Sequence, residues 1–167
     1  MQIVDADEMD WTHRDEGGMD LRRKKLAVAT GGEDIGASLY ELPPGEKAWP
    51  YHYHTGNEEA LYVLAGEGAL RLDGERHALS AGDYAALPAD ERGAHRVIND
   101  GDEVLRYLAV STMNDPDVIV YPDSEKIGAF AGAPPGGEGE RDVHGYFRRE
   151  DAVGYWDGEP DVERESE

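Results

Sequence analysis

The stretch GEKAWPYHYHTGNEEALYVLAG, residues 45–66, decides the reading of this chain. His52 and His54 stand two apart. On a strand, side chains at i and i+2 share a face roughly 6–7 Å apart, so two imidazoles converge on one point. Thr55-Gly56-Asn57 then reads as a turn that reverses the chain. A carboxylate opening the next strand returns beside the histidines, and Glu58 and Glu59 both qualify by position. Both faces of that strand are apolar, with Leu61 and Val63 on one and Ala60, Tyr62 and Leu64 on the other. Alternation therefore does not choose between the two glutamates.

Outward from this stretch, short apolar segments alternate with turn signals. LAVAT (26–30) reads as a strand before Gly31-Gly32, followed by ASLYEL (37–42) and Pro43-Pro44-Gly45. After EALYVLAG (59–66) come ALRLD (69–73), RHALS (76–80), YAALP (84–88), HRVIN (95–99) and VLRYLAVS (104–111). At least eight strands at regular spacing, with no helical period, are the pattern of an all-β sandwich or barrel. GGEDIG (31–36) has the glycines of a phosphate loop, but it does not lead from a strand into a helix and reads as a hairpin turn. Residues 1–20 read as a loose acidic arm, 21–112 as the barrel, and 113–167 as an extension packed on it. Within the extension, 115–124 reads as one extended piece ending at Pro122 and 131–140 as a flexible loop. Residues 149–156 read as a short helix capped by Asp151 or as an irregular tail, and 157–167 as disordered.

A chain of 167 residues, 39% of them apolar, suits one domain. The absence of cysteine excludes disulfides and thiolate metal sites, so a bound metal must use imidazole and carboxylate. The opening MQIVDADEMDWTHRDEGG is acidic and lacks the apolar stretch of a signal peptide. No run approaches the roughly 18 apolar residues of a membrane span, so the expected setting is the cytoplasm. A formal charge of −21 repels phosphate backbones and argues against nucleic-acid partners. The charge reads either as an acidic functional surface or as halophilic adaptation, where salt screens self-repulsion. The acids are spread along the whole chain and the only lysines are Lys24, Lys25, Lys47 and Lys126, which favours halophilic adaptation.

A second stretch, GDYAALPADERGAHRVIN (82–99), places His95 at the head of an alternating strand. In an antiparallel sandwich that position can supply a third imidazole from across the barrel. His13, His77 and His144 read as surface or internally satisfied histidines.

Together the two stretches resemble the two motifs of the cupins, and specifically the small single-domain cupins of undefined activity. Gly45, His52, His54, Glu59 and Gly66 match the first motif, and its spacing selects Glu59. Gly82, Pro88, His95 and Asn99 match the second, with two residues more between Pro88 and His95 than the usual pattern. Asn99, by its place in the motif, stabilises the fold. The resemblance covers about residues 36–111. It implies a double-stranded β-helix, or jelly-roll barrel, with one divalent metal ion held by His52, His54, Glu59 and His95. Three imidazoles and a carboxylate suit Fe, Mn, Ni, Co or Zn without choosing among them. An open Lewis-acidic site would take a small-molecule ligand with two oxygens, as a dioxygenase or an isomerase/lyase does. The alternative is a non-catalytic module binding a metabolite or sugar. Leu61 and Val63 share the parity of Glu59, and Val97 that of His95; Tyr40, Arg106 and Tyr107 are candidate orienting donors.

Unpaired strand edges near the N-terminus (LAVAT, ASLYEL) favour a homodimer that covers them. Light scattering in high salt should give twice the chain mass; a monomer there contradicts the expectation.

Overall fold

The computed structural model describes residues 2–160. In chain order the elements are β1 (Thr12–Glu16), β2 (Met19–Lys25), α1 (Leu26–Thr30), β3 (Ile35–Leu42), β4 (Tyr53–His54), β5 (Glu59–Ala65), β6 (Glu67–Leu72), β7 (Glu75–Ser80), β8 (Tyr84–Leu87), β9 (His95–Ile98), β10 (Leu105–Thr112), β11 (Asp117–Tyr121), β12 (Lys126–Ala131) and β13 (Val143–Arg148). Three antiparallel sheets result, ordered β1-β2-β3-β10-β5-β8, β7-β6-β9 and β13-β12-β11-β4. The fold is all-β, as the strand spacing indicates, and a jelly-roll barrel, as the resemblance to the cupins implies.

Alternation along the strands builds the core. Leu21, Leu42, Val63 and Leu105 from the six-stranded sheet meet Leu70, Leu79 and Val97 from the three-stranded one. A smaller cluster of Ile119, Tyr121 and Phe130 belongs to the four-stranded sheet. The motif residues that carry no chemistry fix corners. Gly66 has φ +81°, and a Cβ there would stand 2.5 Å from the Val104 carbonyl oxygen, so only glycine fits this turn. Asn99 is fully buried; its Nδ2 donates to the carbonyls of Leu42 (2.7 Å) and Glu103 (2.8 Å), and its Oδ1 accepts from Gly101 N–H (3.0 Å).

Several expectations need correction. LAVAT is not a strand: Leu26–Thr30 is a helical turn closed by Gly31 in the left-handed conformation. Gly31 N–H donates to Val28 and Gly32 N–H to Ala27, so the two glycines stop a helix rather than turn a hairpin. A five-residue apolar run has too little periodicity to separate the two states, and leucine and alanine are strong helix formers. ASLYEL is not an edge either, because β3 lies between β2 and β10, and the open edge on that side is β1. The stretch 1–20 is not a loose arm: β1 and β2 pair as a hairpin, Thr12 opposite Arg23 through Glu16 opposite Met19. Lys24 Nζ donates to Ala6 O at 2.6 Å, holding the segment before the hairpin against the sheet. Residues 149–156 form one 3₁₀ turn, Arg149–Asp151, and an irregular exposed run. Of the stretch read as disordered, 161–167 lies outside the described residues.

Replacing Asn99 with Ala should leave the buried Leu42 carbonyl without its partner, at roughly 1–3 kcal/mol, and remove the partner of the part-buried Glu103 carbonyl and Gly101 N–H, at less. Denaturant unfolding should show a loss of at least about 2 kcal/mol; an unchanged midpoint would refute this role.

Candidate metal centre

Two backbone hydrogen bonds bring the histidine motifs together. His52 N–H donates to His95 O at 3.2 Å, and His95 N–H donates back to His52 O at 2.8 Å. This bridge, together with pairing of Tyr53–His54 to Ile119–Val120 of β11, stands in for a continuous strand through the two histidines. It leaves the His52 and His95 rings 4.7 Å apart, centre to centre, and the His52 and His54 rings 5.3 Å apart. Glu59 enters from the first position of β5, and its Oε2 lies 3.5 Å from Nε2 of both His54 and His95. Ligand atoms of His52, His54 and Glu59 lie within 4.8 Å of one another. Glu58 is exposed and donates its N–H to Thr112.

The residues inserted before His95 do not loosen it. Asp90 caps a 3₁₀ turn over Glu91–Gly93, and Asp73 N–H donates to Ala94 O at 2.9 Å. Gly93 O then accepts from His95 Nδ1 at 2.9 Å. The other rings are held in the same way. His52 Nδ1 donates to Pro50 O at 2.7 Å, and His54 Nδ1 to the buried Asp117 carboxylate at 2.5 Å. With Nδ1 engaged outward in all three, the neutral rings offer their Nε2 lone pairs inward.

Burial, joined by the repulsion of neighbouring imidazoles, holds the His52 pKa well below the ordinary value. Burial also lowers His95, partly offset by the Glu59 charge. At His54 burial works the same way but is outweighed by Asp117 and Glu59, and the net shift is upward. Asp117 loses hydration on burial, yet its hydrogen bonds from His54, Asn57 and Gly56 bring it below the usual carboxylate range.

The cluster opens into a cavity of about 530 Å³. Of the residues expected around it, Tyr40, Leu61, Val97 and Tyr107 line it. Tyr40 and Tyr107 stack at 5.1 Å, and burial raises the pKa of both. Val63 and Arg106 are corrections. Val63 sits one alternation further along β5 than Leu61 and is sealed in the core. Arg106 points away from Tyr107 on the same strand and reaches Asp7 (3.5 Å) and Glu41 (4.0 Å) instead. The wall also holds residues that the sequence reading passed over: Arg23 of β2, Arg96 of β9, Tyr121 of β11, Lys126 of β12, Arg141, and His144 of β13. His144, read as a surface or internally satisfied histidine, is exposed on this wall, 4.9 Å from the Phe130 ring. The one usable signal was the scarcity of cations, which makes each position informative.

This chain belongs to the cupin superfamily. Residues 38–111 match the family model for the Cupin domain. The protein SchB of Streptomyces halstedii is 34% identical over 64% of this chain and 74% of its own length. The polyketide synthase protein CurC of Streptomyces cyaneus is 37% identical over 64% of this chain and 66% of its own. Quercetin 2,3-dioxygenase of Bacillus subtilis is 38% identical over 51% of this chain, but the match spans only 26% of the enzyme. Thus the chain spans less than two thirds of CurC and about a quarter of the dioxygenase. Among solved structures, an Acidithiobacillus ferrooxidans protein named for a proposed sugar phosphate isomerase activity superposes with a TM-score of 0.80 at 26% identity, covering 91% of this chain and 95% of that one. A cupin-superfamily protein of Silicibacter pomeroyi, named a sugar phosphate isomerase, shares the fold at a TM-score of 0.76 and 23% identity, over 93% and 98% of the chains. Among the described residues, no helix is long and apolar enough to cross a membrane.

The outward hydrogen bonds make a direct spectroscopic prediction. In chelator-treated protein near neutral pH, long-range nitrogen–proton correlation spectra should show His52 and His95 as Nδ1–H tautomers. Nε2–H tautomers would contradict the geometry.

Proposed function

We propose that this chain holds one divalent metal ion through Nε2 of His52, His54 and His95 and the carboxylate of Glu59, and that it is an isomerase-type metalloenzyme acting on a small oxygenated metabolite. The observation that carries the reading is Glu59 Oε2, 3.5 Å from two imidazole nitrogens whose rings are anchored by their other nitrogen. The donor set fits Fe, Mn, Ni, Co or Zn, and Asp117, behind His54, orients that ring and raises its basicity.

When bound, such an ion supplies Lewis acidity to substrate oxygens. The chain's own residues do the rest. Trp49, Leu61, Val97 and Ile119 make part of the wall apolar and limit water at the reacting carbons. The raised pKa values of Tyr40 and Tyr107 keep both phenols protonated, as donors to a substrate hydroxyl or carbonyl. His144 and Tyr146 reach the cavity from β13. The isomerase branch is supported by the Acidithiobacillus ferrooxidans protein, which is similar over 91% of this chain. A dioxygenase is the second reading, favoured by the 38% identity to the quercetin enzyme across 89 residues.

Elemental analysis of protein purified without a histidine tag should find about one divalent ion per chain, and His52→Ala should remove most of it. Unchanged occupancy in the variant refutes the site. With metal-loaded protein, proton exchange between solvent and the substrate carbon without oxygen uptake supports isomerisation; stoichiometric oxygen uptake overturns it in favour of the dioxygenase.

A further inference from the structure

The charge of the cavity wall opposes that of the chain. The sequence carries 37 acidic residues against 16 lysines and arginines. The wall carries Arg14, Arg23, Lys25, Arg96, Lys126 and Arg141, and its one carboxylate is Glu59 of the histidine cluster. Of the six cations only Lys25 is paired with a carboxylate among the described residues, with Glu138 at 2.6 Å. In so acidic a chain a solvated surface would show the reverse balance.

Two of these cations are fixed by neutral groups, which orient them without cancelling their charge. Arg23 Nε donates to Ser38 Oγ at 3.0 Å, and its guanidinium lies 5.4 Å from the centre of the Tyr40 ring. Arg141 donates to the carbonyls of Ala133 (3.1 Å) and Pro134 (2.9 Å), with the Phe130 ring 5.4 Å from its guanidinium. Both meet at the loop 133–138. A Cβ at Gly136, where φ is +79°, would stand 3.3 Å from Arg23 Nη2, so glycine there leaves the guanidinium accessible. The exposed Glu138 at the end of this loop is held below the usual carboxylate range, first by Lys25 and then by Arg141 and Arg23. One carboxylate of the chain therefore already senses all three cations. Tyr40 senses both Arg23 and Glu59, which puts this lip and the histidine cluster on one cavity.

We infer that Arg23, Lys25 and Arg141 form an anion subsite at the lip of the cavity, and that the metabolite carries a phosphate monoester there. Guanidinium forks match phosphate oxygens, and a phosphate monoester near pH 7 carries about two negative charges against these three cations and Glu138. The cavity volume of about 530 Å³ accommodates a phosphorylated molecule of monosaccharide size. This deepens the metalloenzyme reading and rests on it only for where the reaction occurs; the anion subsite itself uses none of the proposed metal ligands.

Calorimetric titration of the full chain at fixed ionic strength, as purified and after chelator treatment, tests it with inorganic phosphate, glucose 6-phosphate, glucose and malonate. Both phosphates should bind in both preparations, glucose should not bind the chelated protein, and malonate should bind more weakly than phosphate. Arg23→Gln and Arg141→Gln should each weaken phosphate about tenfold or more, as loss of a charge-assisted hydrogen bond does, while exposed Arg149→Gln changes it less than about twofold. Glu138→Gln should tighten phosphate, a gain that misfolding does not imitate. Absence of phosphate binding by the chelated protein, an equal loss in Arg149→Gln, or malonate binding as tightly as phosphate overturns the subsite. Phosphate binding that follows the variants in a chain without metal leaves the subsite standing and removes only the metal reading.

Discussion

The reciprocal backbone pair between His52 and His95 is the contact on which the rest of the site depends. It joins the two motif segments, which are 43 positions apart, and sets two imidazoles side by side. Each ring then needs only a local acceptor for Nδ1, and the chain supplies it two residues upstream in both cases, at Pro50 and Gly93. His54 lacks such a local carbonyl and borrows Asp117 from β11. One carboxylate thus couples the four-stranded sheet to the histidine cluster, because it also accepts from Gly56 N–H in the turn that delivers Glu59. The extension after the barrel is part of the site through this residue.

The electrostatics of the molecule divide into two regimes. Most of the surface is acidic and most cations that pair do so at exposed positions, such as Arg71 with Asp123, Arg76 with Asp100 and Arg92 with Asp90. Such pairs contribute little and are screened by salt. Inside the cavity mouth cations are held by carbonyls, a hydroxyl and aromatic rings instead. Among the described residues, five cations without a carboxylate partner, Arg14, Arg23, Arg96, Lys126 and Arg141, line the cavity, whereas Lys24, Lys47 and Arg149 lie outside it.

Much of the barrel and the centre of the site were legible in the sequence for a physical reason. Strand periodicity is two, so an H-x-H and a following glutamate report a shared point directly. The choice of Glu59 over Glu58 was not available from alternation, since both faces of β5 are apolar; motif spacing made it, and Glu59 does lie between His54 and His95. LAVAT reads as a strand but folds as a helical turn because a run of five residues, four of them apolar, supports either state. Of the neighbours Arg106 and Tyr107, only Tyr107 faces the cavity, and a bulge at that very step in the pairing of β10 with β5 lies beyond what pattern reveals. Lys126, Arg141 and His144 were illegible because β12 and β13 fold back onto the mouth of a barrel whose sequence ends some fifteen or more residues earlier.

The most direct test of the central claim is anomalous diffraction from a crystal of the protein as isolated, with data above and below the absorption edge of the metal present. The account predicts one peak per chain, bonded to Nε2 of His52, His54 and His95 and to a Glu59 oxygen. No peak at that point, or an ion reached through Nδ1 with the rings turned from their present acceptors, would contradict it.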